Sequence, residues 1–264
     1  MPFVTSSDGT RVAYSVVGAG PAIILIDGAL CWRASGPATP LAEQLKDRFT
    51  VYTYDRRGRG ESGDTTPYAV EREVEDLAAL IEIAGGAAAI YAISSGVGLA
   101  LAAADAGLPI TKMVLYEFPI LADNSRHVPA DYATVMDDLL ARGDNAGAVK
   151  HFMGTGVGVP KFAIIMMGLM GVFRKFAPVA PTLAYDTRLI MPYWTYAPPT
   201  PATWPGVTMP VLDIGGSKSE AWMQNAQVAV SKALPNATHK TLPGQNHMVA
   251  PAAIAPLIKE FVLE

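Results

Sequence analysis

The residues best equipped for chemistry in this chain lie at Ala92-Ile93-Ser94-Ser95-Gly96. An apolar run, Ala87 to Tyr91, precedes them and reads as a buried strand. Val97 to Ala104 follows as a closely packed helix, with Gly98 and the alanines allowing a near approach to a sheet. A serine at the apex of strand, turn and helix needs small residues two places before and two after it, because the turn is sharp and holds its central residue under strain. Such a turn lifts the Ser94 hydroxyl above the sheet edge as a nucleophile. It also aims the backbone N–H of Ser95 at an oxyanion. Ala92 departs from the glycine expected at the first position, being small but carrying a Cβ. The same five residues also suit an ordinary glycine- and serine-containing connection, so the surrounding elements must decide.

Composition narrows the choice. The chain has 264 residues, half of them hydrophobic, and a net charge of −4. That supports a large core and argues against a nucleic-acid or polyanion binder. The single cysteine, Cys31, excludes an internal disulfide and a cysteine metal cluster. The four histidines are too scattered for an obvious metal site, and no cofactor is expected. The N-terminal residues Met1 to Gly9 lack a basic region followed by an apolar stretch, so no signal peptide is expected. The apolar run Phe162–Phe173 is too short to span a bilayer. The expectation is a cytoplasmic protein without a membrane partner, a monomer or homodimer.

The elements that must position Ser94 follow from local pattern. Asp8-Gly9 joins two extended stretches as a hairpin. Ala22-Ile23-Ile24-Leu25-Ile26 is a β-branched run of the kind buried on both faces of a parallel sheet. It ends at Asp27-Gly28-Ala29-Leu30, where Ala29 is the candidate for a second oxyanion N–H. A mixed-polarity helix over 38–48 and a strand over 50–54 come next. Asp55 to Asp64 reads as a charge-rich, solvated loop without the lysine and spacing of a phosphate loop. Glu71 to Ile83 is an amphipathic helix stopped by Gly85-Gly86. Alternation of strand and helix implies a doubly wound, mostly parallel α/β sheet, with ligands binding beyond the carboxyl ends of its strands.

Lys112 to Tyr116 is a further strand and runs directly into Glu117. From residue 119 to 203 the alternation breaks down into a segment rich in methionine, proline and glycine, read as helices and irregular loops forming a lid. Met166, Met167, Met170 and Phe173 fall at near-helical spacing, and flexible thioethers suit a pocket for apolar ligands. The α/β rhythm resumes with a strand over 207–214, a helix over 221–234 and a short strand ending at Leu242. A terminal helix over 251–264 then closes the chain. The core is thus expected over residues 1–118 and 204–264. His247 lies between the last strand and that helix, while His127, His151 and His239 lack such a context and read as solvated.

Together these pieces resemble the α/β-hydrolase superfamily from end to end. The resemblance rests on Ile26-Asp27-Gly28-Ala29, Tyr54 to Ser62, Ala92 to Gly96, Met209-Pro210-Val211-Leu212 and Gly244-Gln245-Asn246-His247. It implies that Ser94 is the catalytic serine and His247 the catalytic histidine. In many relatives the acid stands in the turn after the strand written here Val211–Ile214, but that position holds Ser219. Asp213 lies inside the strand and Glu220 falls one place late. Other relatives take the acid from the end of the preceding strand, which is Glu117 here. A carboxylate there is costly to bury unless paired, and His247 would be the partner. The expected triad is Ser94, Glu117 and His247, with Asp213 or Glu220 as the alternative acid.

The resemblance implies two-step acyl transfer, with the N–H groups of Ala29 and Ser95 holding the oxyanion. A serine nucleophile disfavours relatives that open epoxides or displace halide. Leu30, Trp32, Met166, Met170 and Trp194 are the expected substrate-binding residues, favouring an apolar or aromatic ester. The Asp-Gly loop, the Ser-Ser-Gly elbow and Tyr116-Glu117 are also similar to some fungal macrolactone hydrolases, which adds a lactone. A thioesterase, acyltransferase, perhydrolase or carbon–carbon hydrolase on the same fold, or a non-catalytic receptor, are the alternatives.

Overall fold

Eight strands form one sheet in the computed structural model, which describes residues 2–264. The strands are β1 (Phe3–Thr5), β2 (Arg11–Gly18), β3 (Ala22–Ile26), β4 (Thr50–Tyr54), β5 (Ala88–Ile93), β6 (Ile110–Tyr116), β7 (Val211–Gly216) and β8 (Ala237–Leu242). Their order across the sheet is β1-β2-β4-β3-β5-β6-β7-β8. The β1/β2 and β2/β4 pairs are antiparallel, and every later pair is parallel. The hairpin at Asp8-Gly9 and the parallel α/β sheet both follow the sequence expectation.

The parallel strands read as continuous apolar runs because both faces are covered. Helices α1 (Ala38–Leu45) and α10 (Pro251–Leu263) cover one face. There Leu41, Leu45, Ile254 and Ile258 pack on Ile23, Leu25, Tyr91, Val114 and Ile214. Helices α2 (Val70–Ile83), α3 (Ser95–Asp105) and α9 (Ala221–Ala233) cover the other. Leu77, Leu80, Leu99 and Val230 meet Ile24, Ile26, Ile90 and Leu115 on that side. Strand residues therefore alternate between two cores. Glu71 and Glu73 in the first turn of α2 suit the positive end of its dipole. β7 begins at Val211 rather than near 207, because Pro210 has no N–H to give a ladder.

Between β6 and β7 the chain forms α4 (Tyr132–Ala141), α5 (Asn145–His151), a π-helical turn (Phe152–Val157), α6 (Lys161–Leu169), α7 (Val172–Phe176) and α8 (Leu183–Ile190). Tyr132, Met136, Val149, Val179 and Leu183 from this segment bury themselves with Leu30 in a third apolar cluster. That cluster lies over the loop that follows β3. The carboxyl ends of β3, β5, β6 and β7 thus converge beneath it.

Candidate active site

Ser94 occupies the turn between β5 and α3 at φ 58° and ψ −131°, a conformation that costs a non-glycine residue about 1–3 kcal/mol. Its neighbours explain how the turn is held. A Cβ on Gly96 would stand 2.7 Å from the carbonyl oxygen of Ile26, and one on Gly28 would stand 2.8 Å from the Ser94 Cβ. The Ser94 N–H donates to the Tyr116 carbonyl at 2.9 Å. Ala92, the departure at the first position, puts its methyl group into the sheet–helix core without exposure. Ser94 keeps partial exposure while residues on both sides are buried. Ser95 is the first residue of α3, so its N–H has no acceptor within the helix.

Glu117 follows β6 at φ 51° and is fully buried. Its Oε2 lies 2.9 Å from His247 Nδ1. Its Oε1 accepts from the Gly216 N–H at 2.7 Å and from the Ser219 hydroxyl. A buried carboxylate with three donors is satisfied rather than orphaned. With Nδ1–H given to Glu117, a neutral His247 carries its lone pair on Nε2. The His247 loop is anchored by the Tyr116 hydroxyl, which donates to the Asn246 carbonyl at 2.7 Å. It passes so close to β7 that a Cβ on Gly216 would sit 2.5 Å from the Gln245 carbonyl oxygen. Ser219, which holds the place of the more usual acid, instead donates its hydroxyl to the acid from the neighbouring strand.

The alternative acids are placed elsewhere. Asp213 is fully buried beside His239, with Oδ2 at 3.0 Å from Nδ1. Burial pushes its carboxyl up to about 6, against the lowering effect of His239. Glu220 is exposed and accepts from the Trp222 indole N–H at 2.6 Å. His239 is therefore not the solvated residue expected from sequence, since register sets it opposite Asp213. His151 is likewise half-buried, its ring stacked on Tyr132. His127 is exposed, as expected.

The turn after β3 is fixed from below by charges that the sequence suggested were solvated. Arg56, Arg57 and Arg59 are all buried. Arg59 Nη1 donates to the Gly28 carbonyl at 2.7 Å and Nη2 to Asp186 Oδ2 at 2.7 Å. Arg56 bonds Glu73 with two nitrogens at 2.7 Å each and Asp186 Oδ1 at 2.7 Å. The Ser95 hydroxyl donates to the same Asp186 oxygen at 2.7 Å. Burial pushes the Asp186 carboxyl up, but Arg59 and Arg56 outweigh it and hold the group below the usual carboxylate range. One carboxylate from α8 thus ties together the residue after Ser94 and the turn carrying Ala29. Sequence reasoning missed Asp186. The only local signal was the density of arginines in residues 56–59, which needed distant carboxylates.

The expected substrate-binding residues divide. Leu30 is buried at φ 59°, and Trp32 and Trp194 pack half-buried against the third apolar cluster. Met166 and Met170 do not join it. They are 53% and 75% exposed on α6 and at its end. The thioethers that do pack there are Met136, Met153 and Met191, beside Phe152, Phe173 and Phe176. The expected stripe is split: α6 ends at Leu169 with Met166 facing outward, and Phe173 stands on α7 and packs into the cluster.

The profile of the alpha/beta hydrolase family matches residues 16–257. The chain belongs to this family. An alpha/beta hydrolase from Sphaerobacter thermophilus is 46% identical, with 99% of this chain and 100% of that chain covered and a TM-score of 0.90. The enol-lactonase from Burkholderia xenovorans shares the fold at 18% identity and a TM-score of 0.69, covering 100% of both chains. A thermophilic esterase from Thermogutta terrifontis shares it at 21% identity and a TM-score of 0.66, covering 99% of this chain and 97% of its own. As an alpha/beta hydrolase, the chain carries its candidate site where this fold puts ligands, beyond the carboxyl ends of the central strands.

Proposed function

We propose that this alpha/beta hydrolase is a serine hydrolase that cleaves a carboxylic ester or lactone of an apolar or aromatic small molecule. The observations that carry the reading are the buried Glu117 carboxylate at 2.9 Å from His247 Nδ1 and a serine held at positive φ after β5. His247 Nε2 takes the Ser94 proton as the hydroxyl oxygen bonds to the substrate carbonyl carbon. Glu117 fixes the ring and balances the charge of the imidazolium. The N–H groups of Ala29 and Ser95 receive the oxyanion. The imidazolium returns its proton to the leaving alcohol, giving an acyl-serine. Water, deprotonated by His247, then releases the acid and restores Ser94. In a lactone both products remain one molecule.

The apolar cluster around Leu30, Trp32 and Trp194 supports an apolar or aromatic acyl or alkyl group, with the segment over 119–203 acting as its lid. Fold similarity to an enol-lactonase and an esterase accords with this class of substrate. The test is a serine-directed fluorophosphonate followed by peptide mass spectrometry, together with turnover of a panel of p-nitrophenyl esters. A single label on Ser94, and loss of both label and turnover in a folded Ser94→Ala variant, are expected. Labelling at Ser95, or no labelling of a folded wild-type chain, contradicts the assignment. Binding without turnover would identify a receptor.

A further inference from the structure

Helix α6 leaves much of an almost wholly apolar surface uncovered, with Lys161 its one charged residue. Phe162, Ile165, Met166, Leu169 and Met170 follow the i, i+3, i+4, i+7, i+8 spacing of one helical stripe, and a stripe of this kind ordinarily faces a core. Here all five are exposed, and Ile164 is the only buried residue of the helix. With Val157 they make up six of the eleven large apolar residues left exposed among the described residues. Exposed apolar side chains scattered singly need no explanation, but a contiguous stripe marks a surface that meets something.

Charge indicates what it meets. Residues 145–185 contain Lys150, Lys161, Arg174 and Lys175 and no Asp or Glu. All four cations are exposed. A +4 segment thus stands out from a chain of net charge −4. Exposed apolar side chains on α6, with Lys161 on the same helix and Arg174 and Lys175 on the helix packed against it, suit contact with an anionic lipid–water interface. A second copy of the chain fits poorly. A two-fold contact would press the same cationic patch against itself. Among the described residues no single helix is long and apolar enough to cross a membrane, and the one pair that reaches that length together, Lys161–Leu169 with Val172–Tyr193, is bent by 76°, so the contact would lie in the surface plane.

We propose that α6 docks this protein on an anionic lipid bilayer surface, with Phe162, Ile165, Leu169 and Met170 entering the acyl boundary and Lys161, Arg174 and Lys175 meeting headgroup phosphates. This departs from the expectation, drawn from composition, of no membrane partner. It does not depend on the chemistry assigned to Ser94. α6 packs on the π-helical turn and on α7, which carry Phe152, Met153 and Phe173 of the apolar cluster. Docking would therefore set that cluster next to the lipid phase.

The test is flotation of the purified full chain with phosphatidylcholine vesicles, with and without phosphatidylglycerol. Binding to the anionic vesicles is expected, weakening as salt is added. The Lys175→Glu variant should lower the partition coefficient by about fivefold or more, the weight of one basic residue near such a surface. The Phe162→Asp/Leu169→Asp variant should abolish flotation while its melting temperature stays at the wild-type value. No flotation of the folded wild-type chain overturns the proposal, as does unchanged flotation of the double variant. A stable dimer in sedimentation that the double variant converts to monomer would assign the face to a second copy instead.

Discussion

Arg56, Arg57 and Arg59 are among the largest fully buried side chains of the molecule, while Phe162, Leu169 and Met170 on the α6 stripe are exposed at 73%, 78% and 75%. Both regions run against the ordinary sorting of polar and apolar groups, but for different physical reasons. A buried guanidinium is tolerable only if every charge is matched, and Glu73, Asp76 and Asp186 do the matching at 2.7 Å. Those bonds reach the backbone at Gly28 and the side chain of Ser95, so pairing also fixes the turn after β3 and the turn that carries Ser94. An exposed phenylalanine or leucine breaks no bond and strains no backbone. It fixes nothing inside the fold, and it is free to serve a contact outside it. The contrast separates residues that hold the site's geometry from residues left free for a contact outside the fold.

The largest effect expected from this contrast is at Asp186. Asp186→Ala strips two buried arginines of a shared carboxylate and should cost about 3–5 kcal/mol of unfolding free energy in urea. A loss no larger than that of a surface substitution would show that Arg56 and Arg59 find other partners.

A second carboxylate sharpens the comparison because it lacks such pairing. Asp27 is buried, and its Oδ1 accepts the Ala38 N–H at 3.1 Å near the start of α1. Burial pushes it up to about 7, more than Ala38, Arg59 and Arg56 bring it down. The folded chain therefore binds this proton more tightly than the unfolded chain, whose carboxyl titrates near 3.8. Folding gains from the group below about pH 4 and loses that gain as pH rises through about 7. The stability of the wild-type chain relative to Asp27→Asn should fall across this window by up to about 4 kcal/mol. A difference independent of pH would mean that Asp27 is ionised throughout. Asp186 has the opposite sign, its contribution being present at neutral pH and lost on acidification.

The smallest effect belongs to the other side of the comparison. Phe162→Asp should change the unfolding free energy by no more than about 0.5 kcal/mol, the range of exposed positions. A larger loss would return α6 to the packed interior.

Much of the fold was legible in the chain because its signals are local. The β-branched run 22–26 and the small residues around Ser94 are determined by neighbours a few positions away. The pairing of Glu117 with His247 was legible too, since a carboxylate at the end of an apolar strand demands a partner. Arg56 to Arg59 were not, because burial of a charged run depends on Asp186, some 130 positions on. His239 was misjudged for a related reason. Only strand register places it opposite Asp213. At Met166 and Met170 periodicity revealed a stripe, but periodicity does not say which side of a helix finds neighbours.

The account rests most heavily on Glu117 orienting His247 for Ser94. The most direct measurement is kcat/KM on one activated p-nitrophenyl ester for Glu117→Gln, Asp213→Asn and Glu220→Gln, each shown to be folded by circular dichroism. Glutamine keeps the oxygen that accepts from Gly216 and Ser219 but loses the charge and favours the wrong imidazole tautomer. Glu117→Gln should therefore lower turnover by about 10⁴-fold, as loss of the acid does in such triads. The other two variants should lose about tenfold or less, an effect of about 1.4 kcal/mol on the barrier. An active Glu117→Gln beside a crippled Asp213→Asn or Glu220→Gln would contradict the account and move the acid to β7 or to the turn after it.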